Sequence, residues 1–243
     1  MGLGSVSGTR VRRRFSRWCG LPVLLTLLVA GLTATARADT PTSAQGSAAG
    51  PGAVPSPSVR GPIPWSYGIQ KQPETDSLFD LTPFGYSEKE YFVSGTAAYH
   101  ANPGSLDSAP GATTPAPTAP YTIRMIVRAP RDPGRFNGTV AVEWNNVTAQ
   151  FDETPVWDWT YPTVLRAGTA FVIVSVQQAG YCCSPLSLKV HDPVRYGSMN
   201  QPGDGYAFSI YSQVLQSLRH PVGLDPMGGL HVNRLLAAGE SQS

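Results

Sequence analysis

The sequence has few cysteines, few charged residues, and an excess of basic groups only at its N-terminus. Three cysteines among 243 residues leave no room for a disulfide framework and show no metal-ligand spacing. Six of the 18 basic residues lie in the first 38, so the remainder carries 12 basic against 16 acidic groups. This shortage of positive charge excludes the diffuse basic surface of a nucleic-acid-binding protein.

The composition also excludes a disordered acidic or polyampholytic protein. Hydrophobic residues make up 41% of the chain and charged residues only 14%, so a buried core is expected. The length favours one domain, or one domain and part of a second.

Residues 1–38 have the three parts of an export signal. A basic segment, Arg10–Trp18, precedes an apolar run, Leu21–Ala36, and the small-x-small cleavage pattern Ala36-Arg37-Ala38. An uncleaved membrane anchor is the alternative, but the apolar run is shorter than the roughly 20 residues needed to span a bilayer. We therefore expect a bacterial exported protein, secreted or associated with the cell envelope, with no membrane span after cleavage. The segment Arg12-Arg13-Arg14-Phe15 resembles a twin-arginine signal, and the general secretory route is the alternative.

The cysteines that remain after cleavage are the neighbours Cys182 and Cys183. Because a disulfide between adjacent residues is strained, we expect two free thiols or bridges to cysteines elsewhere.

Two stretches have compositions that disfavour helices and strands. Residues 39–62 contain almost no large apolar side chains and are predicted to be a disordered linker. Ala101–Pro120 is rich in proline and is predicted to be a surface excursion between two strands. The domain itself is expected to occupy residues 63–243.

Hydrophobic periodicity predicts an α/β fold. Two segments alternate apolar and polar residues as half-buried strands do, and three others are short and largely apolar, as strands covered on both faces are. An apolar stripe predicts a helix over Asp204–Leu218 capped by Asp204, and a shorter helix over Glu153–Arg166 is expected to break near Pro162. The predicted strands are Glu90–Tyr99, Tyr121–Ala129, Thr139–Trp144, Thr169–Val176 and Leu230–Ala237.

The order of these elements predicts a mostly parallel central sheet with helices on both faces, whose first strands are antiparallel. The segment that follows the last predicted strand is Gly239-Glu240-Ser241-Gln242-Ser243. A G-x-S-x-G sequence after a strand is the nucleophile elbow of α/β-hydrolases, in which a sharp turn exposes the serine hydroxyl. Here Ser243 replaces the last glycine.

Several motifs in order along the chain resemble a family of largely uncharacterised, often exported α/β-hydrolase-domain proteins. The resemblance covers roughly Tyr91–Ser243. It implies the α/β-hydrolase fold and hydrolysis of an ester or similar acyl bond by a serine nucleophile, without identifying the substrate. The motifs are Arg135-Phe136-Asn137-Gly138, Val142-Glu143-Trp144-Asn145-Asn146-Val147, Asp192-Pro193 with Arg195-Tyr196-Gly197, Pro202-Gly203-Asp204 and the Gly239–Ser243 segment.

The elbow predicts the parts of a catalytic site. Ser241 is the expected nucleophile, and the backbone N–H of Gln242 the expected first donor to the oxyanion. The second donor should come from the loop after the third strand, where we select the backbone N–H of Asn146. Turn formation is an equally good explanation of Asn145 and Asn146.

The acid and base of a triad are missing from the sequence. All four histidines precede Ser241, whereas the order in this fold is Ser, then Asp or Glu, then His. His191 and Asp192 do not form a natural dyad, because adjacent side chains in an extended chain point in opposite directions. We therefore expect the chain to be the N-terminal part of a longer hydrolase, truncated at the elbow and inactive alone.

Other assignments remain open in the sequence. Glu240 either tunes the site electrostatically or forms a salt bridge at the elbow. Trp144, Trp157 and Trp159 either line a substrate pocket or pack elsewhere. The expected partner is a small ester-like molecule, and no cofactor or metal is expected. A non-catalytic α/β-hydrolase-like module that binds a ligand or a partner is the alternative function.

Overall fold

A single mixed sheet organises the residues that the computed structural model describes, 54–100 and 116–243. Its strand order is β1-β2-β3-β5-β4-β6. β4 runs parallel to β5 and β6, whereas β1, β2, β3 and β5 are joined by antiparallel pairing in that order. The predicted α/β sheet with antiparallel first strands is confirmed. The strands are β1 (Ser58–Arg60), β2 (Tyr86–Ala98), β3 (Thr118–Pro130), β4 (Thr139–Trp144), β5 (Ala170–Val174) and β6 (Arg234–Ala238).

Helices cover both faces of this sheet. α5 packs its apolar stripe on one face, and α1 packs on the other beside the one-turn helices α3 and α4. Every residue of β5 is therefore buried, which explains why this strand is apolar throughout. The helices are α1 (Pro155–Ala167), α2 (Gln178–Tyr181), α3 (Leu188–His191), α4 (Pro193–Tyr196) and α5 (Ala207–Arg219).

The parallel strands β4 and β6 lie side by side and end at the same edge of the sheet. The segment after β4 begins at Asn145, and the segment after β6 begins at Gly239. Because ligands of open α/β sheets bind outside the carboxyl ends of the strands, the sheet brings the proposed elbow to the edge where a site is expected.

The predicted bounds of β4 are confirmed, whereas those of β6 are wrong at its start. The strand begins at Arg234 rather than Leu230. The N–H groups of Asn233 and Arg234 both donate to the carbonyl oxygen of Gly138, at 2.8 and 3.0 Å, so the ladder to β4 starts only there. Residues 118–120 of the predicted proline-rich excursion belong to β3, and residues 101–115 lie outside the described part of the chain.

The prediction that β2 and β3 are half-buried is wrong for most of β3 and for Glu90 in β2, because their polar side chains form a buried ionic cluster. Glu90, Arg124 and Arg128 are fully buried. Arg195 donates from Nε to Glu90 Oε2 at 2.7 Å, and Arg124 donates from Nη2 to Asp152 Oδ2 at 3.1 Å. A buried charge is tolerated when an opposite charge pairs with it, and these partners come from distant parts of the chain.

The helix α1 does not break at Pro162 as predicted. It runs unbroken from Pro155 to Ala167 with Pro162 inside. Its buried side chains, among them Trp157 and Leu165, lie on both sides of the proline, so packing on the sheet fixes both halves in one direction. Pro162 itself is exposed, where water can bond to the carbonyl group that loses its partner.

Asp204 does not cap the following helix, contrary to the prediction. It opens a short 3-10 turn that ends at Tyr206, and α5 starts at Ala207. The carboxylate of Asp204 instead accepts a hydrogen bond from the N–H of Gln178 at 2.7 Å. Asp204 therefore ties the start of α2 to the start of α5.

The ordered chain begins inside the stretch predicted to be a linker. Residues 58–60 form β1, which pairs with the edge of β2. Val59 packs against the core, so backbone pairing and one apolar side chain suffice for order here. Residues 39–53 and the predicted signal lie outside the described part of the chain. Within residues 54–100 and 116–243, no helix has the length and apolarity needed to cross a membrane.

Candidate active site

The segment after β6 makes a sharp turn at Ser241. Ser241 has a φ of 55°, in the left-handed region, which costs an ordinary residue about 1–3 kcal/mol and is found where surrounding contacts enforce it. A side chain at Gly239 would place its Cβ 2.6 Å from Ser243 Oγ, so glycine lets the Ser243 hydroxyl fold back onto the turn. Ser241 is exposed. An exposed serine on a strained turn directly after a strand is the geometry of a nucleophile elbow.

The side chain of Asn146 holds this turn from the end of β4. Its Nδ2 donates to the carbonyl oxygen of Glu240 at 2.8 Å and to Glu240 Oε2 at 3.1 Å. Its Oδ1 accepts the N–H of Thr148 at 2.8 Å. Asn146 is 4% exposed. Glu240 therefore bonds to an asparagine, and among the described residues it forms no salt bridge.

The backbone N–H of Asn146, selected as the second oxyanion donor, is already occupied. It donates to the carbonyl oxygen of Glu153 at 3.1 Å, and Glu153 N–H returns a bond of 2.8 Å to Asn146. The N–H of Val147 points toward the elbow, with its nitrogen 3.4 Å from the carbonyl oxygen of Gln242. The N–H of Gln242 has no acceptor among the described residues. Asn146 therefore does lie next to the elbow, but it contacts the turn through its side chain and not through its backbone N–H.

A cavity of about 270 Å³ opens beside Ser241. Three carboxylates line it and no basic side chain does. Burial raises the pKa of Asp158 above its usual range, while the charge of Arg128 acts in the opposite direction. The cavity is therefore polar and acidic. Its lining consists of Asn146, Thr148, Glu153, Pro155, Asp158, Glu240 and Ser241.

Glu143 in β4 is a buried carboxyl group behind this cavity that the sequence did not single out as functional. It is fully buried. Its two oxygens accept the N–H groups of Val156 and Trp157, at 2.9 and 3.0 Å, at the start of α1. Burial raises the pKa of Glu143 to about 7, against the opposing effect of these N–H groups and of Arg128. Glu143 thus anchors the helix that carries Asp158 to the cavity.

No histidine lines the Ser241 cavity within the described residues. His191 ends α3, and its Nε2 lies 3.3 Å from Glu74 Oε2. Asp192 does not orient it, because one Asp192 oxygen accepts the N–H of Ile69 and the other that of Arg195, at 2.7 and 2.9 Å. The expectation that these neighbours form no dyad agrees with this geometry.

The three tryptophans do not line the cavity. Trp157 is buried in the core beneath α1, and Trp159 is 71% exposed. Trp144 is half-buried and donates from Nε1 to Gln177 Oε1 at 2.8 Å. The three tryptophan side chains pack in the core or lie at the surface, which is more frequent for tryptophan than lining a substrate pocket.

The expectation of free thiols at Cys182 and Cys183 is not met. The two sulfurs are joined in a disulfide between neighbouring residues. The pair follows α2, and Cys183 has a φ of 85°. Neither cysteine lines the Ser241 cavity. Within residues 54–100 and 116–243, no cluster of three or more His, Cys, Asp and Glu side chains is placed to hold a metal ion.

Comparison with known proteins adds one match to this geometry. A family model described as "Alpha/beta hydrolase domain" matches residues 55–243, which takes in nearly all of the described chain. No curated protein matches the chain.

Proposed function

The chain belongs to the α/β hydrolase domain family, and on that premise we propose that it hydrolyses an ester or similar acyl bond with Ser241 as the nucleophile. The observation that carries the proposal is the left-handed backbone of Ser241, φ 55°, directly beyond β6. A turn of this kind exposes the hydroxyl at the strand ends, where α/β-hydrolases hold their nucleophile.

In the proposed reaction, Ser241 Oγ attacks the carbonyl carbon of a small ester-like substrate and gives its proton to a base. The tetrahedral intermediate then collapses, the alcohol leaves with a proton, and water later releases the acid from the acylated serine. The N–H of Gln242 is our proposed first oxyanion donor. The N–H of Val147 is our proposed second donor. Glu153 holds the Asn146 N–H at 3.1 Å, whereas the Val147 N–H makes only a long hydrogen bond of 3.4 Å to the carbonyl oxygen of Gln242, which the oxyanion would replace.

The test is covalent labelling of the full-length protein with a fluorophosphonate probe. We expect wild type to be labelled and Ser241→Ala to remain unlabelled. Ser198→Ala, at another exposed serine, is the control and should label like wild type. Labelling of Ser241→Ala at the wild-type rate would reject Ser241 as the nucleophile.

A non-catalytic module that binds a ligand or partner is the second candidate. The same fold hosts both catalytic and binding functions, so membership of the family does not by itself decide between them. The same labelling experiment separates the two functions. A folded full-length protein that resists the probe and hydrolyses no short-chain p-nitrophenyl ester would support the binding module.

A further inference from the structure

The proposed nucleophile lies on a turn whose backbone requires an external restraint. Ser241 occupies the left-handed region, where an L-residue is disfavoured by about 1–2 kcal/mol. The peptide group before it contains the carbonyl of Glu240. Because a peptide group is planar, a contact that fixes this carbonyl also fixes the orientation of the Ser241 N–H, and thus one side of the bond about which φ turns.

Two groups donate to that carbonyl oxygen. Asn146 Nδ2 lies 2.8 Å from it, and Ser243 Oγ lies 2.7 Å from it. Ser243 belongs to the same exposed turn and moves with it. Asn146 lies two residues after the end of β4 and is 4% exposed, so it alone ties the turn to the strand end through this carbonyl.

Hydrogen bonds fix both the backbone and the side chain of Asn146. Its backbone exchanges two hydrogen bonds with Glu153, and its Oδ1 accepts the N–H of Thr148. These bonds leave the Nδ2 group aimed at the elbow with little freedom to move. A group fixed in this way can impose its geometry on a less constrained partner.

We infer that Asn146 is a positioning residue, whose side-chain amide holds the Glu240 carbonyl and thereby keeps Ser241 in its reactive conformation. This role rests on the proposed function of Ser241. It differs from the oxyanion role expected of the Asn146 backbone, because it acts through the side chain and on the nucleophile. Asn146 contributes no proton and touches no reacting atom in this role.

The chain offers a matched control at the opposite end of β4. Asn137 accepts the N–H of Thr139 on its Oδ1 at 2.8 Å, as Asn146 accepts that of Thr148. Its Nδ2 also donates twice, to Ala167 O and Thr169 Oγ1. Asn137→Asp therefore removes a side-chain donor with the same pattern of hydrogen bonds, on an exposed residue and without contact with the elbow.

The test compares fluorophosphonate labelling rates of wild type, Asn146→Asp and Asn137→Asp in the full-length protein. At pH 8 the introduced carboxylate of Asn146→Asp cannot donate and faces two acceptors of Glu240. Displacement of a reacting group by about 1 Å costs about 100-fold in rate, and we expect a loss of that order. Asn137→Asp should label at close to the wild-type rate, and both variants should melt cooperatively.

A pH series separates positioning from a general loss of stability. The introduced carboxyl faces Glu240 and lies near Glu153 and Asp158 in the same acidic cavity, so its pKa should be raised. Once protonated it can donate to the Glu240 carbonyl again. The ratio of the Asn146→Asp rate to the wild-type rate should therefore rise as the pH falls from 8 to 5, whereas the Asn137→Asp ratio should stay constant.

Four results would overturn the inference. Equal labelling of Asn146→Asp and wild type at pH 8, or a rate ratio that does not change with pH, would exclude positioning by Asn146 while leaving Ser241 as the nucleophile. A wild type that is not labelled at all would remove the proposed function and this inference together. A melting temperature depressed only in Asn146→Asp, with a slow rate at every pH, would indicate a structural role alone.

Discussion

Replacement of Glu143 by glutamine tests the electrostatics of the site most directly. Glu143 is fully buried, and burial raises its pKa from the ordinary 4.5 to about 7. In the unfolded chain the same carboxyl regains the ordinary value. Between these pH values the folded protein keeps a proton that the unfolded chain has released. The free energy of unfolding must therefore fall as the pH rises from about 4.5 to 7, and this contribution is constant above 7.

The magnitude follows from the two pKa values. A tenfold difference in proton affinity is worth about 1.4 kcal/mol, so Glu143 should remove about 3 kcal/mol of stability between pH 4 and pH 8. Glu143→Gln has no proton to lose and is free of this dependence. Its amide has only one acceptor for the two N–H groups of Val156 and Trp157. Below pH 7 the protonated carboxyl of folded wild type also carries a hydrogen on one oxygen, so the two proteins make similar hydrogen bonds there and should have similar stability.

The assay is urea unfolding of wild type and Glu143→Gln at intervals from pH 4 to pH 8. The variant should be close to wild type in stability at pH 4, and its stability relative to wild type should rise by about 3 kcal/mol by pH 8. Burial and the nearby charge of Glu88 raise the pKa of Asp76 to about 6. Its contribution has the same sign in both proteins and cancels in the difference. Parallel stability curves for the two proteins would refute the reasoning.

Three further perturbations test the fold and the export signal. Glu90→Gln leaves two buried arginines without their shared carboxylate and should lower the free energy of unfolding by about 3–5 kcal/mol, while Lys89→Gln on the exposed side should change it by less than about 0.5 kcal/mol. Gly168→Ala should lower the free energy of unfolding by more than the roughly 1–2 kcal/mol that a left-handed backbone costs. Gly168 has a φ of 70°, and an added Cβ would also overlap the Arg135 carbonyl oxygen. A urea midpoint equal to that of wild type would contradict this. Mass spectrometry of the exported protein should show cleavage after Ala38, and an intact N-terminus would argue for the membrane-anchor alternative.

Local sequence patterns were sufficient for the elements whose character depends on their own residues. The segment Thr139–Trp144 is short, β-branched and apolar, and its strand has these bounds in the structure. The predicted apolar stripe of α5 also lies in the core. The small residues around Ser241 pointed to a tight turn, and the turn is present. In each case the signal was a periodicity or a steric requirement within a few residues, so no knowledge of distant contacts was needed.

Tertiary structure decided everything that depends on a partner far along the chain. Alternation in β3 suggested a solvent-facing Arg124, but Asp152 and Glu90 surround it and allow its burial. The backbone N–H of Asn146 was selected as an oxyanion donor, but in the structure it bonds to Glu153. Its side chain bonds to the Glu240 carbonyl instead, which is possible only because β6 lies beside β4. Charges and hydrogen-bonding groups act through space at a few ångströms, and a linear sequence does not contain those distances.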